Sequence, residues 1–93
     1  MSAKQKLTAV GSDFAIVSTK KPNRGRAAVL LDGKRVAIID LYARRPQTRT
    51  IVYAASFPAA GRHTIALQAT GTKSRPSKGK RVDLDAFLVL TRP

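Results

Sequence analysis

Apolar and polar residues alternate with period two along most of the chain, the spacing that puts successive side chains on opposite faces of an extended strand. In 63–70, Ile65, Leu67 and Ala69 share one face, while Thr64, Gln68 and Thr70 share the other. In 81–90, Val82, Leu84, Ala86, Leu88 and Leu90 alternate with Asp83, Asp85, Phe87 and Val89. Segments 27–31, 35–42 and 49–57 are rich in β-branched and aromatic residues, as strands are. Two weaker strands are read at 4–10 and 13–19. No segment keeps helical periodicity over three turns. The pattern predicts an all-β fold, an antiparallel β-sandwich or jelly roll of about seven strands, as one domain over 1–93.

The breaks between strands carry turn chemistry. Asp32-Gly33 between two apolar runs is the strongest hairpin signal in the chain. Lys21-Pro22-Asn23-Arg24-Gly25, Arg45-Pro46-Gln47 and Pro58-Ala59-Ala60-Gly61 read as loops, and 71–80 as the longest loop. Antiparallel succession sends alternate connections to opposite ends. Connections 11–13, 32–34 and 55–61 then share one end, and 20–25, 43–48 and 71–80 share the other. The second set holds Lys20, Lys21, Arg24, Arg44, Arg45, Lys73, Arg75, Lys78 and Lys80, and no acid.

Composition sharpens this picture. The chain has 93 residues, 43% of them apolar, enough for one modest core. Eighteen Lys and Arg against five acids give a net charge of +13, which favours association with polyanions. Teichoic acid, acidic polysaccharide, nucleic acid and anionic headgroups all qualify on charge. There is no cysteine, so no disulfide and no thiolate metal site is expected. No apolar run approaches the roughly 18 residues of a membrane span, so no membrane insertion is expected. No apolar stretch of the kind found in secretory signals follows the first basic residues.

Candidate chemistry is sparse. His63, the one histidine, falls on the face of Ile65 and Leu67, where it serves structure or contacts a ligand. Asp83 and Asp85 lie two apart on one face. They read as structural partners of Arg or backbone donors rather than as a glycosidase pair. Asp40 caps or pairs at a strand end. Tyr42, Tyr53 and Phe57 can stack on sugars or bases, and Tyr42, beside the basic 43–48 loop, is the best placed. No phosphate-loop pattern, nucleophile–base arrangement or metal-ligand spacing occurs, so neither an enzyme, a metal site nor a cofactor is expected.

The order of short motifs adds a resemblance. Pro22-Asn23-Arg24-Gly25 is followed by Leu31-Asp32-Gly33, then by Val36 through Ile39-Asp40-Leu41-Tyr42. Gly61-Arg62-His63-Thr64-Ile65, Gly71-Thr72-Lys73 and Val82-Asp83-Leu84-Asp85-Ala86-Phe87 complete the order. From Leu7 to Leu90 the chain resembles the jelly-roll, galactose-binding-like modules of secreted bacterial multidomain proteins of actinobacterial type. The resemblance implies a carbohydrate-binding or adhesion module, extracellular or at the cell surface, and places His63 in a Gly-x-His-Thr turn. Two departures stand out. Family members carry further strands before Leu7, which implies a truncated module or a sheet edge completed by a partner. The loops are also more basic than a neutral-sugar site needs.

These readings converge on a non-catalytic module for glycan or an anionic cell-wall polymer. Lys20, Lys21, Arg24, Arg44, Arg45, Lys73, Arg75, Lys78 and Lys80 would hold phosphate or carboxylate groups, and Tyr42 would stack on a sugar face. A sequence-nonspecific nucleic-acid-binding domain is the alternative in composition. A structural domain completed by β-strand addition, including a homo-oligomer formed through an uncovered sheet edge, is the alternative in architecture.

Overall fold

The protein is described by a computed structural model over residues 4–91. The outermost residues of the expected 1–93 domain lie outside the described residues. Among the described residues, five strands form one antiparallel sheet that does not close on itself: β1 (Lys4–Lys20), β2 (Arg26–Leu31), β3 (Lys34–Asp40), β4 (Gln47–Ala69) and β5 (Leu84–Leu90). Their order across the sheet is β3-β2-β4-β1-β5.

The all-β, antiparallel expectation holds, but among the described residues a single five-stranded sheet stands where a sandwich or jelly roll of about seven strands is expected. The strands expected at 4–10 and 13–19 are one, and so are those at 49–57 and 63–70. Segments 11–13 and 55–61, expected to be connections, instead form a bend inside two paired strands. Gly11 lies opposite Gly61 and Asp13 opposite Ser56, so four residues of β4 face Ser12 alone. The surplus is absorbed as an extended bulge, at which both strands turn back together while their pairing continues. Pro58 falls within it, where no ladder donor is required. A straight 23-residue strand would run about 75 Å at roughly 3.3 Å per residue. The longest dimension of the molecule is 43 Å, so β4 must fold back.

The bend brings the two halves of the sheet over one core. Phe14 and Ile16 come from β1 beyond the bend, Ile65 and Leu67 from the returning half of β4, and Ala27 and Val29 from β2. Leu41 closes this core from the β3–β4 connection. All seven are buried, and Phe57, Phe87 and Val89 pack against them. At the bend Gly11 is required by space, because a Cβ there would sit 2.6 Å from Val89 Cγ1.

The Asp32-Gly33 hairpin forms as expected. Both residues have positive φ, 51° and 84°, the conformation of a two-residue turn whose twist matches its strands. The last strand is shorter than expected. It begins at Leu84, and the chain at Arg81 is held by an isolated bridge to Arg24.

Candidate functional site

Because β1 and β4 each travel to the bend and back, their two ends meet. Three connections are stitched together there: 21–25, 41–46 and 70–83. Lys21 N–H donates to the Leu41 carbonyl and Ala43 N–H to that of Lys21. Gly25 N–H donates to Arg81, Arg26 N–H to Thr72, and Lys78 N–H to Pro22, at 2.8–2.9 Å. The Ser77 hydroxyl is buried within reach of the Pro22, Arg24 and Gly79 carbonyls. Gly25 has no room for a side chain, since a Cβ would lie 2.5 Å from the Lys80 carbonyl oxygen. The gathering expected from alternation is therefore present although the strand count differs. A bend and a reversal both return the chain to the end it left.

The expected site residues divide into two groups. Arg44, Arg45, Lys73, Arg75, Lys78 and Lys80 are exposed on these connections. Lys20, Lys21 and Tyr42 are half-buried, and Tyr42 is bridged to Lys21 through the backbone. Among the described residues, no carboxylate lies within ion-pair distance of these six exposed cations. Like charges gathered with few acids between them produce a one-signed field.

Arg24 departs from the expectation. It is 4% exposed, and its Nη2 pairs with Asp83 Oδ2 at 2.5 Å while Nη1 donates to Asn23. Its Nε is buried without a hydrogen-bond partner among the described residues. The guanidinium thus crosslinks 21–25 to the run-in of β5 and does not face solvent. Nor is this end free of acid. Asp83 also accepts from Arg81 Nε at 3.0 Å, and Asp85 accepts from the Thr19 hydroxyl. Asp40 Oδ1 accepts from Tyr42 N–H at 3.0 Å, the capping role expected of it.

Residues 47–50 bring a cation that sequence reading did not include. Arg49 is exposed near the β4 start, with φ of 50°. It lies where the ladder slips between Ser18↔Thr50 and Lys20↔Gln47. A non-glycine residue at positive φ is uncommon, and no glycine or proline marks the slip.

The opposite end is built around aromatic packing. His63 lies within β4, stacked on Phe57 at 3.7 Å and edge-on to Phe14 at 5.7 Å. Its Nδ1 is 2.7 Å from Asp32 Oδ2, and Asp32 Oδ1 accepts from Thr64 N–H at 2.9 Å. His63 therefore anchors the hairpin to β4, which accounts for it structurally. Phe57 and Tyr53 pack against the core rather than standing as free stacking platforms. Among the described residues no three of His, Cys, Asp and Glu converge as metal ligands would.

The anchor makes stability depend on pH. The hydrogen bond from His63, then that from Thr64 N–H, hold the Asp32 carboxyl below its ordinary 3.8. The folded state therefore binds this proton less readily than the unfolded state. The stabilisation is present above the ordinary value and is lost as pH falls through the lowered one. Thermal unfolding of the wild type and of Asp32→Asn should differ at neutral pH, and the gap should close in acid. A gap that persists unchanged well below pH 3.8 would assign the loss to the turn itself.

Comparison with protein-family models and with curated proteins returns no match to this chain.

Proposed function

We propose that this is a non-catalytic module that binds an anionic polymer of the cell wall, or an acidic polysaccharide, at the end where its three connections meet. The observation that carries the reading is the stitched cluster of Arg44, Arg45, Lys73, Arg75, Lys78 and Lys80, exposed and without acidic partners among the described residues. Arg supplies paired donors in a fixed fork for phosphate or carboxylate, and Lys supplies mobile point charges. Lys20 and Lys21 line the approach, and Tyr42 offers a ring beside them for a sugar face. Arg49 extends the positive stripe along the start of β4. Arg24 holds the platform rather than the ligand.

A jelly-roll ancestry and a place at the cell surface belong to the same proposal, supported by the motif order from Leu7 to Leu90 and by the core shared between the two halves of the sheet. Repeating anionic groups suit the site better than a neutral sugar. A neutral ligand would leave this concentration of charge unused, and the like charges repel one another whenever no anion is bound.

Retention on purified bacterial cell walls tests the proposal. Binding is expected at low salt, and is expected to disappear when phosphate-bearing polymers are stripped from the wall. Binding that survives both stripping and high salt would replace the anionic ligand with a neutral glycan. No retention under either condition would remove the wall as the partner.

A further inference from the structure

A second surface lies along the outer edge of β1. Among the described residues, 4–11 pair with β4 alone, because β5 joins β1 only from Asp13 onward. An edge strand of this kind directs alternate backbone N–H and C=O groups outward without ladder partners. The sheet is also incompletely covered beside this edge. A cleft of about 220 Å³ is lined by Leu67, Ala69, Val82 and Leu84 together with Gln5, Lys80 and Arg81. Leu67 belongs to the buried core, so the cleft opens directly onto it.

The alternation of β1 defines what would fit. Leu7 and Ala9 pack inward against the core, while Lys4, Lys6, Thr8 and Val10 are exposed. Lys80 and Arg81, both exposed, belong to the wall of the cleft. Asp83 is the acid nearest in sequence to that wall, and it is engaged by Arg24 and Arg81. The edge is thus a backbone template beside a cleft whose lining combines apolar and basic residues.

We infer that this edge and cleft accept an extended acidic polypeptide segment by β-strand addition. Its backbone would pair with residues 4–10, its apolar side chains would enter the cleft, and its carboxylates would face Lys4 and Lys6. A second copy of this chain is the wrong partner on charge. Each copy carries +13, and each edge would present lysines to the other. A polysaccharide or polyphosphate lacks the regular amide donors and acceptors that complete a ladder. This inference stands apart from the polymer reading, because backbone pairing at β1 carries it and Lys80 alone of the connection cations also lines the cleft.

The test uses the intact chain and a short synthetic peptide alternating valine and glutamate. Peptide binding should slow hydrogen exchange at the outward amides of alternate residues between 4 and 10. N-methylation of the peptide's alternate amides should abolish that protection, while polyglutamate should give none. Lys4→Glu with Lys6→Glu should weaken the peptide at least about fivefold, as opposing cross-strand charges become like charges. Alanine at Arg44, Arg45, Lys73 and Lys78 should leave the protection in place even where polymer binding is lost, which separates the two surfaces. The inference is overturned if no outward amide is protected, or if N-methylated peptide or polyglutamate binds equally well. It is also overturned if the chain alone dimerises with this edge protected, because the edge then belongs to a second copy.

Discussion

Raising salt from about 50 to about 200 mM is expected to weaken binding of a phosphate-bearing polymer by two to three orders of magnitude. Each phosphate neutralised by Lys or Arg releases condensed counterions, with a logarithmic slope of about −0.7 per contact for a flexible single chain. Six exposed cations on the connections, Arg44, Arg45, Lys73, Arg75, Lys78 and Lys80, set the slope near −4 if all are engaged. Fluorescence anisotropy of labelled polyphosphate across a salt series reads it directly. Alanine at both Arg44 and Arg45 should flatten the slope by about 1.4 as well as lower the affinity. A neutral glycan gives a slope near zero, and that result would detach the charge from the ligand.

The second large effect concerns the platform itself. Asp83→Ala is expected to destabilise the fold by about 3–5 kcal/mol, because it leaves the buried Arg24 guanidinium with Asn23 as its remaining side-chain partner. For a domain of this size that corresponds to a fall in Tm on the order of 15 °C. Removing both charges, as in Arg24→Met with Asp83→Leu, should recover much of the loss, since paired burial contributes little net stability over a packed apolar pair. Denaturant titration of the single and double variants checks this. Equal losses in the two would mean that shape, rather than an orphaned charge, governs the site. The polymer affinity of the folded double variant should stay close to wild type, as Arg24 is turned inward.

Period-two alternation made the strands legible, and the Asp32-Gly33 turn was legible from its φ requirement alone. What alternation could not convey was continuity through the bend. Gly11-Ser12-Asp13 and Phe57-Pro58-Ala59-Ala60-Gly61 carry the residues of a reversal, and the chain instead uses them for a bulge. Whether such a stretch turns or bends depends on the partner strand opposite it. The pairing of Gly11 with Gly61 is a tertiary fact with no local signature. The basic end was visible because charge is a sum over residues and the two kinds of break return the chain to the same end. Arg24 was misread for a related reason. An arginine in a loop resembles its exposed neighbours until the fold brings Asp83, 59 positions away, against it. Arg49 went unread because a slip in a ladder has no residue type of its own.

The most direct test removes equal charge from opposite ends of the molecule. Alanine at Arg44, Arg45 and Lys78 takes three cations from the stitched connections, and alanine at Lys34, Arg35 and Arg62 takes three from the hairpin and the bend. All six side chains are exposed, so both variants should keep the fold and share one net charge. Affinity for polyphosphate at low salt should fall at least about thirtyfold in the first and less than about threefold in the second. Equal losses in the two would mean that the polymer responds to total charge, and would contradict a binding site at the connections.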